Sequence, residues 1–471
     1  MRFCVDRIFV CVTIVMEKRK YTGLYHDSRK VTAGSLFFDL SGSVKYVKQA
    51  IKNGATAIVT AKPIVLSDKM VRQIVVPDVR VAMSTMSKEY FGGYVDKMKI
   101  IGVVGTNGKT TVTHMLRHIL GRETGAIGTL GIFYGDAFEE NPLTTPDPIE
   151  MHQVFARMYN AGTRVIAMET SAHAIHFAKL AGINFEAVIF TNITVDHLDF
   201  FHTFENYSNT KINFFLTDKN SKIKTAIINI DNEFGRRIIK ERKGNSVSYS
   251  ADGAQIKLYA DRSTFVFEGH NVTVNMPALF NVYNALACLT CAKVLGVSVA
   301  KAVKALGNIP TIAGRFQTFA LKSGAVAIVD YAHTPDGLEK VITSVRETSR
   351  GARIFTVFGC GGERDKTKRP IMGEISAKYS DYTIITNDNP RKEKPTAIFK
   401  QIEQGVKRVS DKYTIIEDRA EAIKLAIYKA KKGDVIIIAG KGAETTMEIG
   451  GEFIPYSDAD VLNEYTQNCT Q

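Results

Sequence analysis

The sequence predicts an α/β protein of several domains built around parallel sheets. Three observations carry this reading. The chain has 471 residues, too many for one hydrophobic core, so about two to four domains are expected. Short apolar runs such as IIGVV, RVIAM, EAVIF, KTAII, AVAIVD, RIFTVF, DYTII and DVIIIA alternate with helix-like segments, the pattern of strands covered on both faces. Most of these runs stop at loops of Gly, Asp, Asn, Arg or Lys. In open α/β sheets, ligands bind beyond the carboxyl ends of the strands.

Composition narrows the class. The 45% hydrophobic and 23% charged content is that of a soluble globular protein. A net charge of +13 reads as a solvated basic surface that also suits phosphorylated small molecules. No Lys/Arg run marks a nucleic-acid tract, so no nucleic-acid partner is expected. The cysteines, at 4, 11, 288, 291, 360 and 469, are sparse and unpatterned, which fits a reducing, cytoplasmic compartment. Cys288 and Cys291 lie in ALACLTCAKVLGV, read as a buried helix and not as a zinc or redox site. The apolar stretch 8–16 is too short to cross a bilayer and lacks a small-residue cleavage site. It reads as a first strand, or as sequence ahead of a true start at Met16, and no stable membrane insertion is expected.

Residues 1–92 form a first α/β unit: AIKNGATAIVTA is helix end, Gly turn and strand, and RQIVVPDVRVAMSTMSKEYF is strand, Pro turn and helix. A second unit, 93–313, opens with IGVVGTNGKTTVTHML. Its later piece IKLYADRSTFVFEGHNVTVNM reads as antiparallel strands, followed by the helix NVYNALACLTCAKVL. The third unit, 314–471, holds four strands, each ending in a chemically loaded loop.

GTNGKTT is close to a phosphate loop. The common form has four residues between its glycines; Gly105 and Gly108 have two. A strand, a Gly-rich turn and a helix N-terminus still aim backbone N–H groups at an anion. Lys109 suits the outer phosphates, and the Thr110 hydroxyl suits Mg²⁺. Glu169 follows one strand; Asp196, His197 and Asp199 follow another. Carboxylates and a histidine beside a phosphate loop suit Mg²⁺ held between protein and nucleotide. The spacing of His173, His176, His197 and His202 matches no standard zinc motif, and His202 reads as a loop residue. By themselves these features point to ATP and Mg²⁺.

GTNGKTT, METSAHAI, TNITVDHLD, FNVYN, GRF and DYAHTPD occur in the order found in the Mur ligases, and the chain resembles that family from about Tyr25 to Ser457. FGCGGERDKTKRPIMG, TNDNPR and AGKGAE resemble the branch that adds the third residue of the peptidoglycan stem peptide. The resemblance implies three domains: a small N-terminal α/β domain for the UDP moiety, a central P-loop ATPase domain with a parallel sheet, and a C-terminal Rossmann-like domain for the amino acid.

It also implies site residues. Ser28, in HDSRKV, is a uridine contact, although the Gly-rich stretch that usually follows is shortened at 42–45. Gly105, Thr106, Asn107, Gly108, Lys109, Thr110 and Thr111 hold ATP, with Asn281 and Asn284 near the adenine. Arg315 and Asp330 reach the nucleotide from the third domain, so domain closure completes the site. Thr144, Thr145, Ser171 and Lys179 contact the UDP-N-acetylmuramoyl-dipeptide. Lys179 stands where the family has Arg, keeping the charge but losing the fork, and Phe177 replaces a Gln contact. Thr110, Glu169, His197 and Lys211 hold Mg²⁺, Lys211 as a CO₂-derived carbamate; on sequence alone Lys211 would be a solvated helix lysine. Arg364, Asp388, Asn389, Pro390, Arg391, Gly440 and Glu444 receive the amino acid. Ala278 and Ala443 replace a Gly and a His, and a different local backbone is expected at Ala278.

The implied reaction is ATP-dependent amide-bond formation through an acyl phosphate, with Lys109, Glu169, His197 and Lys211 as the catalytic set and the enzyme a cytoplasmic monomer. Arg391 favours meso-diaminopimelate, whose second carboxylate L-lysine lacks. The lysine-adding version of the same ligase is the close alternative. A folylpolyglutamate-synthetase-like ligase and a non-catalytic nucleotide-binding regulator are more distant ones.

Overall fold

A computed structural model describes residues 21–66, 70–218 and 220–466. The strand expected at 8–16, and Cys4, Cys11 and Cys469, lie outside the described residues.

Three mixed α/β layers follow one another along the chain. The first sheet is wholly parallel, in the order Leu24–Tyr25, Ser35–Phe38, Ala55–Thr60, Arg72–Val75. Helix Val79–Tyr90 starts where the Asp78 side chain accepts from the N–H groups of Arg80 and Val81. This helix docks on the second layer. Ser84 Oγ donates to the carbonyls of Lys179 and Ala181, at 3.0 and 2.9 Å, and Lys88 Nζ to that of Gly182 at 3.0 Å.

The central sheet has eight strands, in spatial order Ser246–Tyr249, Lys222–Asn229, Asn184–Phe190, Lys99–Val104, Val165–Glu169, Thr124–Gly128, Gly131–Tyr134 and Ala137–Glu139. All pairings are parallel except the last two. Side chains of Lys99–Val104 alternate between two cores. Ile100 and Val104 enter one, and Ile101 and Val103 the other. That double burial explains why the run is continuously apolar. The strand lies between Asn184–Phe190 and Val165–Glu169, which the chain reaches on opposite sides. The loop after it therefore opens at the crevice where strand order reverses.

The third sheet runs Gln317–Ala320, Val326–Asp330, Val435–Ala439, Ile354–Phe358, Tyr382–Ile385, Tyr413–Ile415, parallel except for its first pair. Its loaded strand ends, at Asp330, Phe358, Ile385 and Ala439, face the central layer. The small strands Lys257–Leu258, Ser263–Phe267 and His270–Val274 are antiparallel, as expected from their sequence.

Three features were not expected: the central hairpin Gly131–Tyr134/Ala137–Glu139, the antiparallel edge Gln317–Ala320, and the hairpin Thr446–Ile449/Glu452–Pro455. All are short and partly exposed, so they lack the apolar run that marks a buried strand. Cys288 and Cys291 are buried on helix Leu279–Val294, where the Cys288 thiol faces the Val112 carbonyl at 3.5 Å. Among the described residues, no helix is long and apolar enough to cross a membrane.

Candidate active site

A cleft of about 1020 Å³ lies between the central and C-terminal layers. The phosphate loop forms its floor. Thr106 N–H donates to the Asn192 carbonyl at 2.9 Å, and Asn107 N–H to Asn192 Oδ1 at 3.0 Å. Both glycines are sterically required. A Cβ on Gly105 would lie 1.8 Å from Thr191 Oγ1; one on Gly108, whose φ is +86°, would lie 2.4 Å from Asn284 Oδ1. Helix Lys109–Leu120 begins immediately, so its N-terminal N–H groups face the cleft. Lys109 Nζ folds back to the carbonyls of Gly105 and Thr106, both at 2.9 Å. Burial lowers its pKa, offset by the charges of Glu169 and Asp196.

Beside the loop, Glu169 is buried. Its Oε1 accepts from Thr110 Oγ1 at 2.9 Å and from Thr129 N–H at 2.7 Å. Thr110 Oγ1 also accepts from Arg315 Nη2 at 2.8 Å, which brings the third domain to the phosphate loop. His197, at φ +54°, lies 3.3 Å from Asp196 Oδ2. Partial burial, only partly offset by Asp196, lowers its pKa to about 4. The Thr110 hydroxyl and the Glu169 carboxylate are oxygen donors of the kind Mg²⁺ takes, and the imidazole places a nitrogen beside that cleft.

Lys211, on helix Phe204–Leu216, is 1% exposed. Its Nζ meets the Tyr207 hydroxyl and lies 3.3 Å from Thr106 Oγ1. No carboxylate pairs with it among the described residues. Burial, reinforced by the Lys109 charge, holds its pKa well below the ordinary lysine value. Burial that disfavours the ammonium favours the amine, the form that can add CO₂. The solvated helix lysine suggested by sequence alone is not what the fold provides.

The substrate-side threonines join this cluster. Thr145 Oγ1 donates to the Glu169 carbonyl at 2.8 Å and to Ser171 Oγ at 3.1 Å, and Thr144 meets Thr129 at 3.1 Å. Lys179 Nζ pairs with Asp147 at 2.7 Å. Phe177 lies under the Arg80 guanidinium at 4.4 Å and so ties the first domain to the second. Ala278 has φ +82° and ψ 142°, a conformation suited to glycine. The alanine adopts it while buried in the core of the third layer, which holds the backbone in place.

Across the cleft, Asp330 is partly buried and its oxygens accept from Phe316 N–H at 2.7 Å and Ala332 N–H at 2.9 Å. Asn284 Nδ2 donates to Asn281 Oδ1 at 3.1 Å. In the loop after Tyr382–Ile385, Asn389 Nδ2 donates to Glu444 Oε2 at 2.8 Å, and Lys441 Nζ to the same oxygen at 2.7 Å. Arg391 Nη1 donates to the Gly362 carbonyl at 2.9 Å.

The cleft is lined by every site residue expected from the sequence except Ser28 and Pro390. Ser28 is buried in the first domain, where its hydroxyl donates to Gln49 Oε1 at 2.9 Å. Pro390 shapes its loop from behind, its carbonyl against Gly362. Four contributors were not singled out from the sequence: Tyr207, Asp147, Lys441 and Asp336. Of these, Lys441 and Asp336 lie inside motifs already named, AGKGAE and DYAHTPD.

Residues 103–292 match the Mur ligase middle domain, and 314–442 the Mur ligase glutamate ligase domain. The chain is 37% identical to the UDP-N-acetylmuramoyl-L-alanyl-D-glutamate–2,6-diaminopimelate ligase of Caldanaerobacter subterraneus, covering 94% of each. Against ligase 1 of the same name from Clostridium acetobutylicum it is 40% identical, again over 94% of each. A solved structure of a ligase of that name superposes with a TM-score of 0.66 at 29% identity over 94% of both chains. The MurF ligase of Thermotoga maritima in complex with ADP shares the fold, at a TM-score of 0.61 and 21% identity over 88% of this chain and 93% of that one. With both domain models matched and identity sustained over nearly the whole length, the chain belongs to the Mur ligase family of ATP-dependent ligases.

Proposed function

We propose that this ligase adds meso-diaminopimelate to the D-glutamate γ-carboxylate of UDP-N-acetylmuramoyl-L-alanyl-D-glutamate, in peptidoglycan synthesis. The observation that carries the reading is a single cleft holding the phosphate loop at one end and the DNPR loop, with Arg391 and Glu444, at the other. The names of the relatives favour diaminopimelate over lysine as acceptor. Domain limits of 1–92, 93–313 and 314–471 assign UDP-substrate binding, ATP chemistry and amino-acid binding in turn. The enzyme acts as a cytoplasmic monomer.

The loop 105–111 and the first turn of helix Lys109–Leu120 bind the ATP phosphates, with Asn281 and Asn284 toward the adenine. Lys109 leaves its carbonyl contacts to neutralise the γ-phosphate. Ser28 holds the uridine end of the dipeptide substrate, and Thr144, Thr145, Ser171 and Lys179 place its γ-carboxylate in line with that phosphate. A carboxylate oxygen forms a bond to phosphorus as the bond to ADP breaks, giving an acyl phosphate. Thr110, Glu169, His197 and carbamylated Lys211 would hold Mg²⁺, which when bound neutralises phosphate charge. Arg315 and Asp330 close the site from the third domain. Arg364, Asp388, Asn389, Arg391, Gly440 and Glu444 then place the amine. It attacks the acyl carbon and loses a proton, and phosphate leaves. The residues act by position and charge, not as nucleophiles.

The test is ATP-dependent incorporation of each amino acid onto UDP-N-acetylmuramoyl-dipeptide. Diaminopimelate addition with stoichiometric phosphate release is expected. Efficient lysine addition with negligible diaminopimelate addition would overturn the acceptor assignment.

A further inference from the structure

The DNPR loop does not hold its own arginine in place. Arg391 has φ +53°, a left-handed conformation uncommon for a long side chain. The unexpected hairpin Thr446–Ile449/Glu452–Pro455 supports it. Arg391 N–H donates to the Glu448 carbonyl at 2.9 Å, and Gly450 N–H to the Arg391 carbonyl at 2.7 Å. Glu448 N–H donates to Asn389 Oδ1 at 3.0 Å. The Glu448 side chain completes the set, its Oε2 3.1 Å from Arg391 Nε.

These contacts divide the guanidinium. Glu448 engages Nε and the Gly362 carbonyl engages Nη1. Nη2 makes no hydrogen bond to the protein among the described residues. Arg391 lines the cleft; Glu448 does not. The carboxylate therefore stands behind the arginine, on the side away from the substrate. An ion pair at Nε and a hydrogen bond at Nη1 restrain the group at two of its three nitrogens. A fork held in this way loses less rotamer freedom when it meets a carboxylate.

We infer that Glu448 is a positioning residue for acceptor selection: it orients Arg391 so that the guanidinium presents its free Nη2 edge to the distal carboxylate of a diamino-dicarboxylic acid. This rests on the reading of the DNPR end of the cleft as the acceptor site. Glu448 touches no substrate, and its effect is confined to one substrate of three. Its backbone bonds to Asn389 and Arg391 do not need its side chain, so substitutions leave the hairpin attached.

The experiment measures steady-state kinetics of wild type, Glu448→Gln and Glu448→Ala, varying each substrate in turn, with thermal melting of each protein. In Glu448→Ala the KM for meso-diaminopimelate is expected to rise severalfold, on the order of five, the scale of losing one partly exposed ion pair. Glu448→Gln, which keeps an acceptor oxygen, is expected to fall in between. The kcat at saturating diaminopimelate, the KM values for ATP and the UDP-dipeptide, and the melting temperature are expected to stay at wild-type values. An unchanged diaminopimelate KM in Glu448→Ala overturns the inference. A parallel rise in all KM values with a lowered melting temperature overturns it too, since that marks a structural role. Wild-type enzyme that does not use diaminopimelate overturns the reading of the acceptor site, and this inference with it.

Discussion

Asn107 Nδ2 donates to Asp336 Oδ2 at 2.8 Å, joining the phosphate loop to the first turn of helix Pro335–Thr348 in the C-terminal domain. Lys340 Nζ holds the same oxygen at 2.9 Å from one turn further on. With the bond from Arg315 to Thr110, it makes the phosphate loop the place where the two domains meet. Loss of Asp336 removes the link, together with one exposed i,i+4 pair on its own helix. A hydrogen bond to a charged group contributes about 1.5–3 kcal/mol, so Asp336→Ala is expected to lower kcat/KM for ATP by roughly tenfold or more. Wild-type kinetics in this variant would show that the link plays no part in closure.

Lys211 combines full burial with a depressed pKa and has no acidic partner among the described residues. Lys211→Ala is expected to reduce turnover by at least on the order of 10²–10³, the scale for losing one preorganised electrostatic group. Added short-chain carboxylic acid should restore part of it by supplying the missing anion. Phosphate release with and without the acid is the measurement, and unrescued activity near wild type would end the carbamate assignment.

Arg391→Lys keeps the charge at the DNPR loop but loses the planar fork. The ion pair with Glu448 at Nε and the bond to the Gly362 carbonyl cannot both be kept by one ammonium. The KM for meso-diaminopimelate is expected to rise by roughly ten- to hundredfold, with little change for ATP. Acceptor saturation curves decide it; an unshifted KM would place the distal carboxylate elsewhere.

Glu393 provides a pH test of stability. Buried Arg369 donates to it at 2.7 and 2.9 Å and holds its pKa down at about 2, against an ordinary 4.5. The carboxylate is thus more acidic folded than unfolded. Its stabilising effect is present above the unfolded value and is lost as pH falls from about 4.5 toward 2. Wild type is expected to exceed Glu393→Gln in urea midpoint near neutral pH, with the gap closing at about pH 3 and below. A gap independent of pH would mean that the pair does not act through charge.

Much of the site was legible because its parts are local. GTNGKTT announces a phosphate loop because a strand, a Gly-rich turn and a helix N-terminus follow one another there, with Gly108 at φ +86°. DNPR, AGKGAE and DYAHTPD sit at strand ends, where topology delivers them to one crevice. Side-chain partners from distant segments were not legible. Asp336 is only the last residue of DYAHTPD and Glu448 carries no motif; each acquires its role from an interaction across 229 or 57 positions. Ser28 illustrates the converse: its motif was readable, but it lies outside the main cleft.

The sequence by itself determined the order of strands and helices, the loaded strand ends and the family, because these depend on apolar periodicity, turn residues and motif order. Only the tertiary structure decided the burial of Lys211, the direction in which its pKa and that of His197 move, the partners of Glu169, and which nitrogens of Arg391 are engaged. Those properties come from desolvation and from charges a few ångströms away. Both arise only when segments far apart in the chain are packed together.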